Sequence, residues 1–169
     1  MKPERLEFQP LTAEAFAPFG EVIQRQGVTP ESINYGQTQK YADLAWIDTT
    51  ERDGETTVHL YRSQAVMLPF LVERMERHPL GSQAFIPLHH RPFPVVVAPA
   101  SDRLDPGSIR CFITDGTQGV QLNKGVWHHH QLSLGETSDY VVIERDGPGE
   151  NTIEQALAQP LIIAPLQNR

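Results

Sequence analysis

A succession of short apolar runs, each closed by turn residues, constrains this chain's fold more than any other feature. The runs are Leu44 to Ile47, Thr57 to Arg62, Ala65 to Leu68, Phe70 to Arg74, Gln83 to Leu88, Pro94 to Ala98, Ile109 to Thr114, Gly119 to Leu122, Val126 to Leu132 and Tyr140 to Glu144. They are rich in Val, Ile, Phe and Tyr, which suit a pleated, half-buried surface. Gly, Pro, Asp and Asn separate them. Asp105-Pro106-Gly107 and Thr114-Asp115-Gly116 are turn signals with a mechanism, since Pro presets φ and Gly accepts positive φ. Many short strands at this spacing predict a mainly all-β sandwich or barrel.

Shorter signals flank this region. Leu6 and Phe8 alternate with polar residues and predict a strand, as does Glu21 to Gln24. Two helices are expected. Thr12 is placed to cap Ala13 to Phe19, with Glu14 where the helix dipole favours it, and Asn151 is placed to cap Thr152 to Ala158. Leu161 to Ile163 predicts a last strand. Residues 25–40 are polar and turn-rich with no periodicity, and are expected to form a lid or an edge flap.

The 169 residues are expected to form a single domain, 1–169, with one real core. Asp plus Glu number 21 against 14 Lys plus Arg, a net charge of -7. That balance argues against a nucleic-acid partner, which would need a basic face. Cys111 is the sole cysteine, so no internal disulfide is possible; its apolar setting predicts core packing. The residues from Met1 to Arg5 lack a signal-peptide apolar region, and no run approaches the roughly 20 apolar residues a membrane helix needs. A cytoplasmic protein without a membrane partner is expected. Walker-type glycine loops, GxGxxG, paired-cysteine zinc spacing, HExxH and GxSxG are all missing, which argues against phosphate, dinucleotide and nucleophilic-serine chemistry.

Two stretches carry the chemistry: Glu76 to Pro87, and Gly125-Val126-Trp127-His128-His129-His130. On a strand, residues i and i+2 share a face. Glu76 and His78 then point into one space, as ligands for a borderline metal or as an acid/base pair. Gln83 follows the Pro79/Gly81 turn and points back toward them. His128 and His130 share one face; Trp127 and His129 share the other. Spacing alone leaves a metal site, an acid/base site and a polar patch open. Arg110, Lys124 and Arg145 are candidate binders for an anionic group, Arg bidentately. Asn34, in the long loop, is a further candidate.

The stretch Glu76 to Leu88, together with Phe112-Ile113-Thr114-Asp115-Gly116-Thr117-Gln118-Gly119-Val120 and Gly125-Val126-Trp127-His128-His129, resembles the ureidoglycolate lyase family. Ile33-Asn34-Tyr35-Gly36 and Tyr41-Ala42-Asp43-Leu44 match that family's N-terminal pattern; His130 stands where Pro is more frequent there, and Lys40 where Arg is common. The resemblance implies a cupin-like double-stranded β-helix barrel, a homodimer, and cleavage of (S)-ureidoglycolate to glyoxylate and urea in allantoin and purine breakdown. Against the cupin metal pattern, His78 and His128 match two His places. Glu76 replaces the remaining His, and Gln83 replaces the Glu. These four residues are the metal set the resemblance implies, for a nickel- or zinc-like divalent ion held more weakly than by three His and Glu.

Elimination needs a base for the substrate hydroxyl and an acid for the departing nitrogen. The expected base is Glu76 or His78, and the expected acid His128 or His129. Arg110, with Asn34 or Lys124, is expected to hold the substrate carboxylate. Three alternatives stay open: an amidohydrolase releasing ammonia from the same substrate, a non-catalytic glyoxylate-binding protein and a cupin-type isomerase.

Overall fold

The computed structural model describes residues 4–165. In chain order its elements are β1 (Glu4–Leu6), β2 (Phe8–Pro10), α1 (Ala13–Phe16), β3 (Gly20–Ile23), β4 (Glu31–Ile33), β5 (Thr38–Lys40), β6 (Glu55–Ser63), β7 (Ala65–Val66) and β8 (Phe70–Arg77). They continue with β9 (Gln83–Pro87), β10 (Pro94–Ala98), β11 (Arg110–Ile113), β12 (Gly119–Leu122), β13 (Trp127–His128), β14 (Ser133–Leu134), β15 (Ser138–Asp146) and β16 (Ile153–Ile163). A seven-stranded sheet runs β1-β16-β8-β13-β10-β11-β2 and a five-stranded sheet runs β3-β12-β9-β15-β6. The result is the expected nearly closed, barrel-like all-β fold. Among the described residues no helix is long and apolar enough to cross a membrane.

Strand alternation builds two cores. Val95 and Val97 of β10 face the five-stranded sheet and pack with Phe85, Val120, Tyr140 and Val142. Val96 and Ala98 face the opposite way, into a second cluster with Val72, Met75, Trp127, Leu157 and Ile163. β10 is therefore buried on both faces, which explains why it reads as an unbroken apolar run. Thr12 caps α1 by accepting from the Ala15 N–H at 3.2 Å. Phe16 and Phe19 then close one end of the barrel by packing edge-on against Phe112, with ring centroids 5.4 and 5.8 Å away.

Four expectations are corrected. Thr152 to Ala158 is not a helix but most of β16, antiparallel to β8 from Ile153↔Arg77 to Ile163↔Phe70, with a register shift between Ala156 and Leu161. Leu44 to Ile47 carries no regular structure. Val126 to Leu132 is strand only at Trp127–His128. Residues 25–40 are not loop throughout: β4 and β5 pair as a small hairpin around a tight turn at Asn34–Gly36.

Candidate active site

Register brings the two chemical stretches together. β13 pairs with β8 so that His128 lies directly opposite Glu76. The Gly125 N–H donates to the His78 carbonyl at 2.8 Å, which ties the second stretch to the first. Gly125 has φ +79, a conformation Gly adopts without a Cβ penalty. Glu76, His78 and His128 each offer a ligand atom, all within 4.8 Å of one another. The His78 and His128 rings are 5.0 Å apart.

Backbone carbonyls fix which nitrogen each ring presents. His78 Nδ1 donates to the Asn151 carbonyl at 2.7 Å, and His128 Nδ1 to the His129 carbonyl at 3.2 Å. A carbonyl only accepts, so each Nδ1 carries an N–H, and in the neutral ring the lone pair is on Nε2. Both Nε2 atoms are buried and without a partner among the described residues. A buried unmade acceptor costs about 1–3 kcal/mol, so this pair is set up for an electron-pair acceptor. Asn151 does not cap a helix: its carbonyl holds His78 and its side chain accepts from the Leu80 N–H at 2.8 Å.

Burial pushes the His128 imidazole down to about 3, helped by neighbouring His78. It is neutral at pH 7, a lone-pair donor rather than a proton donor. Burial raises the Glu76 carboxyl above its ordinary range; His78 opposes this and Glu154 and Glu144 add to it. A carboxyl raised in this way accepts a proton more readily near neutral pH.

Glu76 and His78 open into a cavity of about 840 Å³ between the two sheets, and His128 is buried beside them. Gln83, Glu144, His59 and Tyr61 supply the wall from the five-stranded sheet, and His130, Asn151 and Thr152 line it as well. Two guanidiniums reach the lining, and both are engaged. Arg62 pairs bidentately with Asp139 at 2.8 and 2.9 Å. Arg145 donates to the carbonyls of Glu51, Arg52 and Pro148.

The remaining expected site residues lie elsewhere. His129 faces away from His128, edge-on to Phe70, and burial pushes its imidazole down to about 4. Arg110 folds back on the carbonyls of Gly107 and Ile109 beside a separate cleft. Lys124 pairs with Glu51 at 2.7 Å and Asp48 at 3.1 Å. Asn34 donates to Thr38 within the β4–β5 hairpin. Gln83 lines the cavity but on the facing sheet, where its Nε2 donates to Glu144. Glu144 itself escaped the sequence reading. The signal was its alternation with Tyr140 and Val142, which puts a carboxylate at an inward-facing place.

A family model described as ureidoglycolate lyase matches residues 3–164. A protein from Burkholderia mallei named ureidoglycolate lyase is 53% identical over 156 residues, covering 92% of this chain and 91% of its own. Proteins of the same name from Pseudomonas paraeruginosa and Pseudomonas fluorescens are 42% and 43% identical, each covering 98% of its own length and, respectively, 97% and 96% of this chain.

Proposed function

The chain belongs to the ureidoglycolate lyase family, and from that premise we propose that it cleaves (S)-ureidoglycolate to glyoxylate and urea in the cavity at Glu76, His78 and His128. The observation that carries this site is the pair of buried, unpartnered Nε2 lone pairs beside a carboxyl of raised proton affinity. The same orphaned atoms meet the donor requirements of a nickel- or zinc-like ion. His78 Nε2, His128 Nε2 and a Glu76 oxygen would hold it. When bound, such an ion supplies Lewis-acid stabilisation of negative charge on a substrate oxygen. Both guanidiniums of the lining are already engaged, so such an ion would oppose the charge of Glu76 on a substrate carboxylate.

Glu76 performs the proton transfer. Its free carboxylate oxygen takes the hydroxyl proton, the O–H electron pair becomes the aldehyde C=O, and the C–N bond breaks toward nitrogen. Glu76 then returns that proton to the departing nitrogen, giving urea. One carboxyl acting as base and then acid avoids calling on His128, which is neutral at pH 7. The Nδ1 bonds from His78 and His128 to main-chain carbonyls orient both rings.

Product identification tests the reaction. Purified protein given racemic ureidoglycolate is expected to release one urea per glyoxylate and consume no more than half the substrate. Ammonia in place of urea would convert the assignment to an amidohydrolase. Saturable glyoxylate binding without turnover would make the protein a binder.

We also read the functional unit as a homodimer. Among the described residues β6 pairs only with β15, leaving a nine-residue edge, and Val58 and Leu60 on it are 68% and 72% exposed. Open edges of this kind are normally covered or blunted. Sedimentation should give a mass twice the 19.0 kDa of the chain, and Leu60→Glu should shift it toward monomer; a monomeric wild type would end this reading.

A further inference from the structure

The wall facing Glu76, His78 and His128 carries a second polar cluster that the proton transfer does not use. Gln83 of β9 and Glu144 of β15 are direct cross-strand partners. Gln83 Nε2 donates to Glu144 Oε2 at 2.5 Å, and Tyr61 Oη donates to Glu144 Oε1 at 2.8 Å. His59 Nε2 lies 3.5 Å from the same Oε1. The carboxylate is thus gripped from two strands. Because Glu144 accepts, the Gln83 amide is oriented, and its Oε1 is the free end. That Oε1 is buried and has no partner among the described residues.

The capacity left over is for accepting. The Tyr61 hydroxyl hydrogen and a Gln83 N–H are committed to Glu144. Unused are the second Gln83 N–H, a lone pair on each Glu144 oxygen and both lone pairs of Gln83 Oε1, so acceptors outnumber donors. Such a surface calls for a ligand rich in N–H donors. Of the two ends of ureidoglycolate, the carboxylate has none. The ureido end has three N–H groups, two of them parallel, which suits a carboxylate bidentately.

We propose that Glu144, positioned by Tyr61 and Gln83, is the specificity-determining residue that grips the ureido N–H groups, with Gln83 Oε1 taking a further one. This rests on the ureidoglycolate reading above. It orients the substrate with its ureido end on the five-stranded sheet and its carboxylate and hydroxyl toward the His78–His128 wall.

The test compares two substrates. 2-Acetamido-2-hydroxyacetate keeps the carboxylate, the hydroxyl, an N–H and the carbonyl, but carries methyl where ureidoglycolate has its terminal amino group. Sites built around a hydrogen bond reject analogues lacking it by about 10⁴–10⁵-fold at best. The wild-type kcat/KM ratio, ureidoglycolate over analogue, should be at least about 10²-fold. Glu144→Gln turns one of the two acceptor oxygens into a donor NH2. It should lower that ratio at least about tenfold through loss on ureidoglycolate, while inhibition by glyoxylate stays within about twofold of wild type. Tyr61→Phe keeps the carboxylate but loosens it, and should lower the ratio by a smaller factor; it decides the matter if Glu144→Gln does not fold. Equal losses on both substrates, leaving the ratio unchanged, overturn the proposal and reduce Glu144 to a structural role. A wild type that turns over neither substrate has a different signature, and overturns the ureidoglycolate reading itself.

Discussion

Glu76→Gln is expected to lower kcat for ureidoglycolate cleavage by about 10²–10⁴-fold, the usual contribution of a positioned general base or acid. Gln matches the shape of Glu76, so the β8–β13 register that sets Glu76 opposite His128 is kept. What is lost is the ability to take the hydroxyl proton and return it to nitrogen. The pH dependence gives an independent check. Burial, with Glu154 and Glu144 adding to it, raises the Glu76 carboxyl above the ordinary range. A base works when deprotonated, so activity is present above its pKa and lost as pH falls through it. The wild-type kcat profile should therefore carry an acid limb. In Glu76→Gln the residual rate should not show that limb. Steady-state urea release across pH measures both, and a loss smaller than about threefold would remove Glu76 from the proton transfer.

The sequence told most about the strands and least about which residues meet. β10 and β12 were legible because runs such as Val95-Val96-Val97 admit little but a buried strand. β16 was not. Its Ile153-Glu154-Gln155-Ala156-Leu157 stretch has good helix formers after an apparent cap, and pairing with β8 overrides that weak local preference. The contrary signals were present: Ile153, Gln155 and Leu157 are its more buried residues, a period of two, and Pro160 forbids a continuing helix. At the site, Glu76, His78 and His128 could be singled out by residue type. Asn34, Arg110 and Lys124 could not be ruled out, because a cation's usefulness depends on what already engages it. Lys124 is taken by Asp48 and Glu51, and Arg110 by its own turn. Glu144 was passed over for its neighbour Arg145, whose guanidinium is spent on three carbonyls.

Removing divalent ions by exhaustive chelation is expected to abolish turnover, and nickel or zinc should restore it. Direct binding separates this from an indirect effect on activity. The two Nε2 lone pairs are buried, unpartnered and held by Nδ1 bonds, so the apo site carries two unmade acceptors at about 1–3 kcal/mol each. A ligand that binds only the folded chain stabilises it by mass action, about 2.7 kcal/mol at one hundred times its Kd. The wild-type melting temperature should therefore rise with added nickel or zinc, and calorimetry should find one site per chain. His128→Ala or His78→Ala should each remove the thermal shift and cost at least about tenfold in metal affinity. Glu144→Gln should keep both, since Glu144 stands on the facing sheet and outside the three-residue ligand group. Full turnover in chelated protein, with no calorimetric binding, would exclude the ion and leave the side chains of the site to act on the substrate alone. That outcome would shift attention to how a substrate carboxylate is tolerated beside Glu76, because both guanidiniums of the lining are already engaged. Either result turns on these two imidazoles, whose Nδ1 N–H groups the backbone consumes.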